Sequence, residues 1–169
     1  KIIRYSIISN SINSEIIGEI NNPTSEPVES IKLRISVYEN DELVEVKDTY
    51  ADIQELNPNQ TSIFRAFLDG QYDEETLRVE MDINFDTTKK GKSPFLSITV
   101  ENEDLDKMRY TNHATYKILG HITNLGPHKT DFVQIIGLFY DQDGNIIEQG
   151  NKYTEPRMLG PGETTPFEI

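Results

Sequence analysis

The sequence predicts an all-β protein made of two tandem antiparallel β-sandwiches. Apolar and polar residues alternate with a period of two in Ile31–Val37 and in Leu77–Phe85, as half-buried strands require. Such short segments are separated by Asn-Pro, Gly-Pro and Asp-Gly turns, and no capped segment of ten or more residues follows the helical period of 3.6. The chain also repeats itself once, which predicts two copies of one unit.

The repeat is clearest in two phrases. Leu56-Asn-Pro-Asn-Gln-Thr-Ser-Ile-Phe64 returns 103 positions later as Leu159-Gly-Pro-Gly-Glu-Thr-Thr-Pro-Phe167. Upstream, Ile17–Asn22 matches Leu119–Asn124 with an offset of 102. We expect Asn22 and its counterpart to follow a strand and to hold a turn through side-chain to backbone hydrogen bonds. The same comparison puts the Phe that ends each phrase in the core.

The change of offset by one residue locates a hairpin. The offset changes where Glu39–Glu42 of the first copy is aligned with Asp141–Asn145 of the second. A one-residue length change is best tolerated in a hairpin turn, and Gly144 suits a positive φ. The strands that we predict in chain order are Ile31–Val37, Glu42–Tyr50, Thr61–Phe67, Leu77–Phe85, Phe95–Glu101 and Asp131–Tyr140.

The domain boundaries follow from the repeat and from composition. A polar, basic segment with Gly and Pro separates the copies, so we predict a first sandwich at 1–88, a linker at 89–94 and a second sandwich at 95–169. Ile169 is equivalent to Ala66, and the first copy goes on from there into Leu77–Phe85. We therefore expect the second sandwich to lack its last strand. Either the sequence is cut before that strand, or another molecule supplies the strand.

Composition limits the possible functions. The 169 residues contain no Cys and no Trp, which excludes thiolate chemistry and removes the best stacking side chain. The formal net charge is −13, of which residues 1–88 carry −11 through seven Lys and Arg against eighteen Asp and Glu. A surface this acidic disfavours nucleic acid and anionic lipid, but suits a cation or a basic partner. No apolar run is long enough to span a membrane, and the first residue, Lys, suggests a processed or excised piece.

The second copy resembles the FxLYD family, small immunoglobulin-like domains of bacterial and archaeal envelope and secreted proteins. The matching elements are Leu119–Asn124, Leu138–Gly144 and Leu159–Phe167. Gly137 and Phe139 stand where the family has Phe and Leu, while the Tyr and Asp that follow agree with it. The first copy departs further, with Ile35, Val37, Tyr38, Glu39 and Pro58-Asn59 at the matching positions. The resemblance implies two tandem immunoglobulin-like β-sandwiches outside the cytoplasm, with no enzymatic activity and no binding residues.

Two acidic stretches are candidates for calcium. Asp141-x-Asp143-x-Asn145 resembles the start of a calcium loop, but position twelve is Lys152 rather than an acidic residue, so a plain turn is favoured. Glu101-Asn-Glu-Asp-Leu-Asp106 brings four carboxylates near the domain junction, where calcium would stiffen the two sandwiches. A solvated loop is the favoured interpretation of this stretch, and calcium binding is the alternative.

Other candidates for chemistry are weaker. His113, His121 and His128 lack the close spacing of a zinc site, and no nucleophile elbow, P-loop or dinucleotide fingerprint is present. Asn59-Gln60-Thr61 matches a glycosylation acceptor. Phe95, Phe132 and the tyrosines form either a contact patch or part of the core.

The sequence thus favours a non-catalytic structural or protein-interaction module of a cell-surface or secreted protein, without cofactor, metal or catalytic residue. Its partners would be another protein or neighbouring domains, not nucleic acid, and it would not insert into a membrane. The first alternative is a calcium-stiffened adhesion or assembly segment completed by strand exchange between molecules. The second is a small-ligand receptor or an enzyme, which would need a deep polar pocket.

Overall fold

The computed structural model describes residues 1–9, 13–70, 72, 76–88, 96–107 and 114–169, with the backbone alone at 102–107 and 114–115. These residues form strands, turns and bends and no helix, which confirms the all-β class. The described strands are β1 (Ile2–Ser9), β2 (Ser14–Asn21), β3 (Val28–Glu39), β4 (Glu42–Tyr50), β5 (Glu55–Leu56), β6 (Thr61–Leu68), β7 (Leu77–Thr87), β8 (Leu96–Lys107), β9 (Ala114–Asn124), β10 (Thr130–Asp131), β11 (Gln134–Tyr140), β12 (Ile146–Tyr153), β13 (Met158–Leu159) and β14 (Thr164–Glu168).

The chain separates into two compact units. The first comprises Lys1–Ser93 with Tyr140–Ile147, and the second comprises Pro94–Phe139 with Glu148–Ile169. Each unit has a hydrophobic core of its own. The predicted linker, 89–94, lies outside the described residues.

The first unit contains two antiparallel sheets that share one core. One sheet has the order β1-β2-β6, and in the other β3 pairs with β4, β5 and β7. Inward side chains of both sheets are fully buried in one cluster, with Ile16 and Phe64 from the first and Leu33, Ile35 and Val37 from the second. Burying an aliphatic side chain of this size contributes roughly 1.5–3 kcal/mol, so this cluster supplies the main stabilisation of the unit.

Strand β7 covers the second edge of β3. It pairs antiparallel with β3 from Val28 to Glu39, and its alternate residues Leu77, Val79, Met81 and Ile83 pack against the core. This confirms the predicted strand and its inward face. Phe85, which the pattern places on the same face, is instead 47% exposed and lies where the register between β3 and β7 shifts.

The remaining described strands form three small antiparallel sheets, β14-β9-β8, β10-β13 and β11-β12, and all but the segment Tyr140–Ile147 of the last sheet belongs to the second unit. Its core consists of Ile122, Val133, Ile135, Leu159 and Phe167, so the Phe that ends the second phrase is buried as predicted. Two expectations were wrong here. The predicted strand Asp131–Tyr140 is broken at Phe132, whose φ is 56°. The acidic stretch 101–106, expected as a loop, continues β8: the register shifts at Glu101, and Asn102–Asp106 then pairs with β9.

The predicted hairpin is confirmed. Asn40 and Asp41 join β3 to β4 with φ values of 49° and 67°, the two-residue turn that follows the twist of the strands. Between β11 and β12 the turn is longer and Gly144 has a φ of 83°, as the repeat predicted. The change in length therefore lies in a turn and leaves the strands on either side intact.

A glycine lies opposite the core Phe in both units. Gly18 pairs with Phe64, and Gly120 pairs with Phe167. A Cβ at Gly18 would lie 2.5 Å from Cε1 of Phe64, and one at Gly120 would lie 2.8 Å from Cζ of Phe167 and would meet the carbonyl oxygen of Thr99. Only glycine leaves room for the aromatic ring at these positions.

We predict that Gly120→Ala lowers the free energy of unfolding by about 1–3 kcal/mol, because the methyl group would have to displace a core ring and a backbone carbonyl. Gly137→Ala is the control, since its nearest neighbour would lie at an ordinary 3.5 Å. Urea unfolding followed by tyrosine fluorescence measures both. Equal losses for the two variants would contradict this account of Gly120.

Candidate functional site

Asn22 is the most connected buried polar residue of the first unit. It follows β2, and its side-chain Nδ2 donates to the carbonyl oxygens of Glu26 at 2.8 Å and Leu56 at 3.0 Å. Its Oδ1 accepts from the backbone N–H and the hydroxyl of Thr24, at 3.0 and 2.7 Å. Its own carbonyl accepts from the N–H of Asn59 at 2.8 Å. One side chain therefore joins the end of β2 to two other loops.

Asn124 makes the corresponding contacts in the second unit. Its Nδ2 donates to the carbonyl oxygens of His128 at 2.8 Å and Leu159 at 3.0 Å, and its Oδ1 accepts from the N–H of Gly126 at 2.9 Å. Its carbonyl accepts from the N–H of Gly162 at 2.8 Å. The amide of Asn124 is fully buried and all its polar atoms have partners.

The turns that face these asparagines each contain a residue with a positive φ. Asn59 has a φ of 65° and Gly162 a φ of 76°, in the left-handed region that Asn and Gly tolerate. The sequence predicted that both asparagines hold a local turn, which is confirmed. It did not predict the bond to the distant carbonyl of Leu56 or Leu159, because that contact depends on tertiary packing. The side-chain amides of both asparagines already make hydrogen bonds to backbone groups. We therefore assign them a role in stabilising the fold.

The Asp141 turn uses its carboxylate internally. Oδ1 accepts from the N–H groups of Asp143 at 2.9 Å and Asn145 at 2.8 Å, and Oδ2 accepts from the side chain of Asn145 at 2.9 Å. The side-chain amide of Asn145, followed by these backbone N–H groups, holds the pKa of Asp141 below its usual value. The geometry is that of the plain turn that the sequence favoured.

The other candidate metal ligands do not converge where the structure describes them. His121 Nδ1 lies 2.8 Å from Glu101 Oε1, and both side chains are exposed. His128 contributes its backbone carbonyl to the Asn124 site. His113 and the side chains of the acidic stretch beyond Glu101 lie outside the described residues. Among those described, no group of three or more Asp, Glu or His side chains is placed to hold a metal ion.

Charged groups of the first unit form exposed pairs on its sheets. Asp48 accepts from Arg34 Nε at 2.9 Å and lies 2.7 Å from Lys32 Nζ, and these two cations lower its pKa to about 2. Glu45 accepts from the Tyr72 hydroxyl at 2.8 Å, and burial together with this carboxylate raises the pKa of Tyr72 to about 12. Neither shift brings a group toward neutral pH, where general acid–base catalysis needs it.

The remaining candidates are an exposed aromatic residue, a possible glycosylation site and a pocket. Phe132 is 68% exposed, so it belongs to the surface rather than the core, while Phe95 lies outside the described residues. Asn59 and Thr61 of the possible glycosylation site lie in a turn and at the start of β6. An apolar pocket of about 90 Å³ lies in the first unit between Ile20, Val28 and Phe85. It is small and apolar, whereas a receptor site combines a larger cleft with converging polar groups.

Comparison with known proteins adds no assignment. No protein-family model, curated protein or solved structure matches the chain. In the described part of the chain, no helix is long and apolar enough to cross a membrane.

We predict that Asn22→Ala and Asn124→Ala each lower the free energy of unfolding by roughly 2–4 kcal/mol, because buried carbonyl groups lose their donor. Asn21→Ala is the matched control. The Asn21 side chain is half-exposed and donates a single bond to the carbonyl of Gln60, so we expect a change of about 0.5 kcal/mol or less. Urea unfolding of the three variants measures the difference, and similar losses at positions 21 and 22 would refute the assignment.

We predict that Asp141→Ala lowers the melting temperature by the same amount in excess calcium and in chelator, because the carboxylate stabilises the turn by hydrogen bonds. The folded-state pKa of Asp141 is lowered, so this stabilisation is present above the unfolded pKa and is lost as pH falls through the folded value. Calorimetry at neutral pH tests it. A calcium-induced rise in the unsubstituted protein that disappears in the variant would instead identify a metal ligand.

Proposed function

We propose that the chain is a pair of tandem immunoglobulin-like β-sandwiches that acts as a non-catalytic structural and protein-interaction module of a cell-surface or secreted protein. The observation that carries this proposal is the buried asparagine with its two loops, which occurs once in each unit. A shared and demanding arrangement of this kind supports descent of both units from one sandwich. A pair of such units supplies length and presents loops and strand edges to partners.

Further correspondences support the tandem arrangement. Val28 pairs with Leu56 in the first unit, and Thr130 pairs with Leu159 in the second. Ser30 and Phe132, 102 positions apart, both have a φ of 56°. The Gly–Phe pairs described above agree as well. Each correspondence has the offset of 102 or 103 that the sequence repeat gives.

The use of polar groups favours a structural role. The fully buried polar side chains of the described residues are all neutral and hydrogen-bonded, largely to backbone: Ser14, Asn22, Ser62, Asn124, Thr154 and Thr165. An enzyme instead gathers titratable groups with perturbed pKa values in a cleft. The calcium-stiffened alternative gains no support from Asp141, whose carboxylate oxygens already accept three hydrogen bonds.

The proposed location outside the cytoplasm rests on the resemblance to the FxLYD family and agrees with a net charge of −13, which keeps an exposed module soluble. The chain has no Cys, so its stability there would come from the two cores and the asparagine sites rather than from disulfides.

We expect antibodies against this chain to label intact cells of the organism that makes it, or to detect the protein in the medium. Protease added to intact cells should remove a surface-bound form, while a cytoplasmic marker stays protected. Labelling that appears only after permeabilisation would overturn the proposed location.

A further inference from the structure

The triplet Asn59-Gln60-Thr61 has the pattern that N-glycosylating enzymes recognise. In this pattern an Asn is followed by any residue except Pro and then by Ser or Thr. No other triplet in the sequence fulfils it, because Asn22-Pro23-Thr24 has the right outer residues but a Pro between them. Such a short pattern also occurs by chance, so its use depends on how the fold presents the two side chains.

The fold presents the triplet at the surface of the first unit. Asn59 lies in the turn between β5 and β6, and Thr61 is the first residue of β6. All three residues of the triplet are exposed. An attached glycan is bulky and hydrophilic and has to remain in water. A glycan on Asn59 therefore does not require a packed side chain to move.

The two side-chain groups of the pattern are not used by the fold. Among the described residues, neither the amide of Asn59 nor the hydroxyl of Thr61 makes a hydrogen bond. The turn is held instead by the N–H of Asn59, which donates to the carbonyl of Asn22 at 2.8 Å, and by the side chain of Gln60, which accepts from the N–H of Asn57 at 2.8 Å. The amide of Asn59 is therefore free to react while the turn stays closed.

The second unit shows that this kind of turn does not need an amide. Gly162 stands at the position of Asn59, with a φ of 76° against 65°. Its N–H donates to the carbonyl of Asn124 at 2.8 Å, which is the bond that Asn59 makes to Asn22. The amide of Asn22, in contrast, is buried and donates to two carbonyl oxygens, so it could react only by leaving the fold.

We propose that Asn59 is an N-glycosylation site, which receives an oligosaccharide from a lipid carrier linked to it through phosphate. Nδ2 of Asn59 forms a bond to C1 of the first sugar, and Nδ2 releases one proton. The bond between C1 and the phosphate oxygen breaks, and the carrier phosphate leaves with the electron pair. The hydroxyl of Thr61 is the second group that the enzyme recognises. This inference rests on the proposed location outside the cytoplasm, because N-glycosylation marks the surface loops of exported proteins.

The test uses the protein purified from the organism that makes it. Trypsin cleaves after Lys47 and Arg65, so the triplet lies in a peptide of residues 48–65, in which Asn57 is the only other Asn. Fragmentation of this peptide in the mass spectrometer distinguishes the two. We expect the peptide to be heavier by one glycan, and the glycan to be on Asn59.

Substitutions at Thr61 separate recognition of the triplet from other attachment. Thr61→Val removes the hydroxyl but keeps a β-branched side chain that suits a strand, so we expect a folded protein that has lost the glycan. Thr61→Ser keeps the hydroxyl and should keep the glycan. Asn59→Gly removes the acceptor and still allows a positive φ. Thermal melting of each variant confirms that it is folded.

Two outcomes would overturn the glycosylation site. One is an unmodified 48–65 peptide in the protein from its own organism, and the other is a glycan that persists in folded Thr61→Val. If antibodies label intact cells while the peptide is unmodified, the glycosylation site fails and the proposed location stands. If labelling requires permeabilisation and the peptide is unmodified, both fail.

Discussion

The hydrogen bonds of the two buried asparagines are the constraint on which each unit depends. A loop that crosses the end of a sandwich has backbone N–H and C=O groups that must find partners once they leave water. Asn22 and Asn124 supply both a donor and an acceptor from one short side chain, and each reaches a carbonyl more than thirty residues away. The strand ends, the positive-φ turns and the buried residues Leu56 and Leu159 meet at these hydrogen bonds.

The remaining polar chemistry lies at the surface and follows from composition. The first 88 residues carry most of the negative charge, and their cations are used in exposed pairs such as Arg34 with Asp48. Pairs of this kind contribute little to stability in water. They keep the sheet faces hydrated.

The sequence predicted the elements that depend on local pattern. The alternation in Leu77–Phe85, the hairpin located by the change of offset, the positive φ of Gly144 and the turn role of the two asparagines all depend on nearest neighbours. It did not assign a strand to β1, and it took residues 101–106 for a loop. Both segments are strands because they pair with a neighbouring strand, β1 with β2 and 102–106 with β9, although the local pattern is weak in the first and acidic in the second. The sequence also did not predict that Phe132 is exposed. Its backbone is in the left-handed region, which turns the side chain away from the face that the alternation indicates.

The edge strand β4 is protected by charged side chains. Lys47 lies 3.2 Å from Glu45 and 2.8 Å from Asp69, so an incoming strand would have to bury these charges or break their pairs. The strand at the offset of 103 in the second copy, β12, also carries charges, Glu148 and Lys152. Charged side chains are a common means by which an edge strand avoids pairing with other chains, so both copies carry this protection on the same strand.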